Sequence, residues 1–175
     1  ERELSARAEI SLANRKERQY RIAIASSAFC TFEFNLTRDL VEQDVVRVTD
    51  GGQISMLEKA GLSAPCAASQ CFERWKSYVL EESLEEYAEV ADLEYLKECF
   101  GRGESEVSVE YWGQVGAEEQ MCVRQSFIMT QSDDTGDIMV MVVAKDITAQ
   151  VQKQREQTQA LQEALMQAQH ANNAK

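Results

Sequence analysis

The 175 residues, 44% of them hydrophobic, suffice for one domain with a real core plus extensions, and are too few for two comfortable domains. A single Pro and eight Gly argue against a disordered chain, and no apolar run approaches the roughly 18 residues that span a bilayer. The net charge of −12 is concentrated in residues 81–110, where eleven Asp or Glu face only Lys97 and Arg102. That disfavours nucleic acid and anionic membrane as partners, and otherwise reads as a solvated acidic face.

Five cysteines, at 30, 66, 71, 99 and 122, are odd in number and lack tight spacing. A disulfide framework is therefore not expected, and a reducing cytoplasm fits better. No signal-peptide-like region occurs; membrane segments upstream of Glu1 stay open.

Residues 1–22 lack Gly and Pro and read as a linker helix. Leu4, Ala8, Leu12 and Ile22 form a stripe too thin for a lone helix, which favours pairing with a partner. Phe29 to Leu36 alternates, with Cys30, Phe32, Phe34 and Leu36 on one side, and predicts a strand. Leu40 to Val48 predicts a second strand, forming a hairpin that Gly51 and Gly52 end.

Residues 53–100 read as helical pieces. Cys71, Phe72, Trp75, Tyr78 and Val79 share one face after Ser69. Ser83 to Glu86 fits a capping box, and Asp92 can cap a last helix closed by Gly101. Three strands follow, over 106–112, 121–130 and 137–145. The run from Met139 to Ala144 is apolar throughout, as suits a central strand covered on both faces. Beyond Asp146 and Thr148, both able to cap, the chain to Lys175 holds neither Gly nor Pro and predicts an exit helix. A register through Ile147, Val151, Gln154, Thr158, Leu161, Leu165, Ala168 and Asn172 suits a parallel dimeric coiled coil; a helix folded back on its own sheet is the alternative. The fold class is α+β: a five-stranded antiparallel sheet with short helices on one face, flanked by N- and C-terminal helices.

On element order, on Asp92 to Tyr111, and on the terminal Asp146-Ile147-Thr148, residues 23–148 resemble a PAS domain, the sensory module of bacterial signalling proteins. The tripeptide is similar to that family's Asp-Ile-Thr signature, where the last strand meets the output helix. The resemblance implies signal-coupling roles: Asp146 caps or salt-bridges at the junction, Ile147 anchors it in the core, and Thr148 starts the helix. Ordinary capping without signalling accounts for the same residues. The division is a linker helix over 1–22, a sensor domain over 23–147 and an output helix over 148–175. The closing Ala171-Asn172-Asn173-Ala174-Lys175 resembles the segment before the phosphoacceptor helix of histidine kinases. His170 precedes that run and would be a solvent-exposed residue, not the phosphoacceptor.

Candidate chemistry within these residues is sparse. Gly101-Arg102-Gly103 is a turn of the wrong length for a phosphate loop, and the lone His170 with unpaired cysteines does not make a zinc site. Cys66 and Cys71 read as buried or half-buried thiols before they read as a redox switch. Among PAS cofactors, a His-ligated haem is not expected because the core has no His, and the photoactive flavin's Cys-containing helix has no match. A non-covalent FAD stays open, as does a small metabolite near Phe32, Trp75, Tyr78, Tyr111 or Phe127, aromatics that serve equally as plain core. The expected function is a non-enzymatic sensor that detects a small ligand or cue and relays it to a histidine kinase beyond Lys175. It would work as a homodimer through its flanking helices, without nucleic acid or direct membrane contact. A ligand-free dimerisation module and the sensor of a diguanylate cyclase are the alternatives.

Overall fold

A computed structural model describes residues 2–10, 15 and 28–173. An exposed helical segment covers 2–10; the rest of the expected linker helix, apart from residue 15, lies outside the described residues. The elements that follow are β1 (Cys30–Asn35), β2 (Val46–Thr49), β3 (Gly52–Ser55), α1 (Met56–Lys59), α2 (Ala68–Trp75), a 3-10 turn (Lys76–Tyr78), α3 (Glu81–Val90), α4 (Leu93–Gly101), β4 (Glu106–Gly113), β5 (Met121–Gln131), β6 (Ile138–Asp146) and α5 (Thr148–Asn173). The sheet order is β3-β2-β1-β6-β5-β4, antiparallel throughout, so the last strand pairs with the first in the interior.

The fold class is α+β as expected, but the sheet has six strands and not five. Gly51 and Gly52 do not end the hairpin. Asp50 and Gly51 turn the chain, Gly52 adopts the left-handed φ of 119° that glycine tolerates, and β3 returns along β2 from Thr49↔Gly52 to Val46↔Ser55. The expected strand over 40–48 is also broken. Leu40 bridges Asn35, Val41 leaves to bridge Cys66, and the ladder resumes only at Val46.

Burial follows the alternation in the strands. Phe34, Phe127, Met129, Val140 and Val142 point into one core beneath Phe72, Trp75, Tyr87 and Leu96 of the helices. Edge-on aromatic contacts tie the layers, with Phe34 to Phe72 and Phe32 to Trp75 both at 5.5 Å between ring centres. On the other face of β6 Val143 is buried but Met139 and Met141 are only half-buried, so covering on both faces is incomplete. The acidic side chains of 81–110 are all exposed.

Helix ends show where side chains overrule local motifs. Asp92 caps α4 by accepting from Glu94 N at 3.0 Å. Its far end closes two residues later than expected: Gly103, at φ 88°, and Glu104 donate back to Phe100 and Cys99 in a Schellman arrangement. Ala67 leaves α2 without a cap of its own, and Asp39 supplies one from a distance, accepting from Ser69 N at 2.8 Å. Ser83 is not a cap. It lies inside α3, buried, and its hydroxyl accepts from Trp112 N of β4 at 3.1 Å. Ser83→Ala should therefore cost about 1–2 kcal/mol by stranding that amide, whereas Glu86→Ala should leave the urea midpoint unchanged. A capping box would give losses for both.

Candidate functional site

Between the inner face of the sheet and the helical layer lies a cavity. Its floor is Cys30 and Phe32 of β1, Val142 and Ala144 of β6, and Gln125 of β5. Trp75, Tyr78 and Tyr87 roof it, with Tyr111 along the side and Gln114, Val115 and Glu119 at an open mouth. Centres of water-sized molecules find about 90 Å³ inside. Cavities of about 150 Å³ hold benzene, so a one-ring molecule fills this smaller space and reaches out through the open mouth.

The roof is pinned from below. Trp75 Nε1 donates to Met56 O at 3.1 Å, and Tyr78 O accepts from Gln114 N at 2.8 Å, joining the 3-10 turn to the loop after β4. Tyr87 sets its ring edge-on against Tyr111 at 4.9 Å. Burial pushes both phenols well up, so they stay protonated as neutral hydrogen-bonding groups. Tyr111 OH donates to Gln125 Oε1 at 3.1 Å, and Gln125 is only 5% exposed.

Arg47 is the cavity's one buried cation among the described residues. It is 6% exposed, projects inward from β2 opposite Cys30, and its guanidinium carbon sits 5.2 Å from the centre of the Phe29 ring. Nη2 contacts Glu118 Oε2 at 3.0 Å, while Nε has no hydrogen-bond partner among the described residues. An apolar chamber with one buried cation, one buried amide and phenols can hold a small polar molecule. No cluster of three or more His, Cys, Asp or Glu able to hold a metal forms among the described residues.

The junction lies two residues beyond the cavity wall. Asp146 Oδ1 accepts from Thr148 N at 3.0 Å and from Thr148 Oγ1 at 2.6 Å. Thr148 Oγ1 in turn accepts from Cys122 N of β5 at 2.9 Å, and Ile147, 7% exposed, donates its N–H to Cys122 O at 2.9 Å. The start of α5 is thus stitched to the end of β6 and to the neighbouring strand. Arg155 stacks over Trp112 at 5.3 Å, but no side chain of the helix is buried, and beyond Val151 every described one is exposed.

Of the aromatics singled out in the sequence, Phe32, Trp75, Tyr78 and Tyr111 meet at the cavity. Phe127 does not line it; fully buried, it packs on Phe72 at 5.9 Å. Arg47 and Gln125 were missed. Each carried a signal, as the polar residue at an inward position of an otherwise apolar alternation. Cys66 and Cys71 bring their sulfurs to 3.6 Å as free thiols, half-buried and buried; burial first, then Cys66, pushes the Cys71 thiol up to about 12. His170 is exposed.

No protein-family model matches the chain, and no curated protein sequence does. Among solved structures the chain is similar to an RNA-binding light-oxygen-voltage receptor, at 13% identity and a TM-score of 0.41, over 78% of this chain and 35% of that one. It is similar to the N-terminal domain of a diguanylate cyclase with PAS/PAC sensor from Marinobacter aquaeolei, at 13% identity, 69% and 96% coverage, and a TM-score of 0.42. A PAS domain from a two-component sensor histidine kinase is similar at 9% identity, 75% and 98% coverage, and a TM-score of 0.32. The chain spans about a third of the receptor's length.

Burial pushes the Cys30 thiol up to about 11, with the Arg47 charge partly offsetting it. Because the folded value exceeds the ordinary 9.0, this thiol's stabilisation is complete below pH 9.0 and disappears as pH rises through about 11. Urea unfolding on both sides of that window should show the loss, and Cys30→Ala should make the drop shallower.

Proposed function

We propose that this chain is a PAS-like sensory module that binds a small molecule in its cavity and relays occupancy through its exit helix to a downstream histidine kinase. The observation that carries the reading is the double duty of β6. With Val142 and Ala144 it forms cavity wall, and two residues later, at Asp146, it ends in the bonds that start α5. A ligand that displaces the wall changes the packing of the strand from which the helix leaves. Arg47 Nε, without a partner among the described residues, favours an occupied chamber over a ligand-free spacer, because a filled apolar core has no reason to bury a cation.

The module acts by recognition and not by catalysis; kinase activity belongs to residues beyond Lys175, as the resemblance of Ala171 to Lys175 suggests. No helix among the described residues is long and apolar enough to cross a membrane, and the free thiols fit a cytoplasmic setting. Leu161, Leu165 and Met166 are 64%, 55% and 69% exposed, and a second α5 in parallel is the partner that would cover them.

Native mass spectrometry of the purified chain should reveal a retained small molecule. Removing it should change hydrogen exchange over Thr148 to Val151, and Asp146→Ala should keep the molecule while abolishing that change. An α5 indifferent to occupancy would sink the relay. Sedimentation should show a dimer that Leu161→Asp with Leu165→Asp weakens by roughly tenfold or more.

A further inference from the structure

Nε and Nη2 lie on one edge of a guanidinium, where two parallel N–H groups match the two oxygens of a single carboxylate. At Arg47 that edge is half used. Glu118 Oε2 forms an ion pair with Nη2 at 3.0 Å, and Nε, in a side chain that lines the cavity, has no partner among the described residues. Glu118 comes from the mouth loop and its side chain is 39% exposed, so its ion pair is partly in water and weakly held. Arg47, at 8% side-chain exposure, is fixed deep in the wall.

We infer that the cavity takes a small organic carboxylate, which occupies the whole Nε–Nη2 edge of Arg47 and displaces Glu118 into solvent. This deepens the sensory reading above and rests on it. One carboxylate replaces another, so the buried cation keeps one partner and the chamber keeps its charge. The newcomer makes two hydrogen bonds where Glu118 makes one ion-pair contact, in drier surroundings where charge-assisted bonds are stronger. The loop need not unfold for this: Glu118 N donates to Val115 O at 3.2 Å and Glu118 O accepts from Gln114 Nε2 at 2.8 Å, so the side chain alone swings out. The acid's body lies against Phe32, Tyr111 and Val142, apolar surface that one ring fills. A neutral carbonyl compound would engage Nε alone and leave Glu118 in place.

The test is calorimetric titration of the whole chain, freed of any retained molecule, with acetate, benzoate and the neutral isostere benzamide. Benzoate is expected to bind at least roughly tenfold more tightly than benzamide. Arg47→Met should lose roughly tenfold or more of the benzoate affinity, and Glu118→Gln, which removes the competitor, should tighten benzoate several-fold and leave benzamide unchanged. The half-exposed Glu118 variant keeps the test decisive should Arg47→Met fail to fold. Equal binding of benzoate and benzamide, or no carboxylate binding in the millimolar range, overturns the inference. So does a Glu118→Gln chain with unaltered benzoate affinity. Benzoate held at Arg47 without any hydrogen-exchange change at α5 would defeat the relay and uphold the ligand class; an α5 response only to neutral molecules would do the reverse.

Discussion

The ladder between β1 and β6 is the constraint on which the rest stands. It runs from Cys30↔Ala144 to Asn35↔Met139 and joins segments separated by more than half of the chain. Closing so long a loop costs entropy that grows only slowly with length, and a six-residue ladder in the interior of the sheet, with Phe34 and Val140 in the core, outweighs it. A polar clasp locks one end: Asp137 accepts from Asn35 Nδ2 at 2.9 Å and forms an ion pair with Arg38 Nε at 3.0 Å. With the two strands fixed side by side, everything between them must lie on one face as helices or extend the sheet as hairpins. The cavity follows, as the space that short helices cannot fill over a twisted sheet.

The polar groups of that cavity run against the economy of an apolar core. A buried guanidinium with one donor unpartnered among the described residues costs free energy that a Met at position 47 would avoid. Gln125 is different, because it is neutral and Tyr111 donates to its carbonyl. Within one chamber the guanidinium alone combines a buried charge with a buried donor that has no partner among the described residues.

Much of this architecture was legible in the residues. The alternation of Cys30 to Leu36, the strands after residue 105 and the apolar β6 mark their elements because one or both faces are buried. Asp92 was legible as a cap because its bond is local. Illegible features were those decided by distant partners. Ser83 has the spacing of a capping box yet serves a strand 29 residues away, and Asp39 caps a helix 30 residues on. β3 hid behind two glycines because four residues leave no measurable period, and one of those glycines is the left-handed pivot that makes the strand possible. At the site, aromatics identify themselves by size but not by position: Phe32 and Phe127 look alike in sequence, and only packing separates cavity wall from solid core. Arg47 carries its signal only in its inward phase in a four-residue strand.

The bare rod of α5 has a mechanical corollary. Its 26 residues reach about 39 Å from the sheet, and the bonds that hold it lie within its first turns. A tilt of about 5° at that root, well below one ångström of motion at the Asp146 carboxylate, sweeps the far tip through roughly 3 Å. Geometry alone thus turns a side-chain adjustment into a movement larger than the roughly 1–2 Å helix shifts of switching interfaces. The domain can stay nearly rigid while its distal end travels.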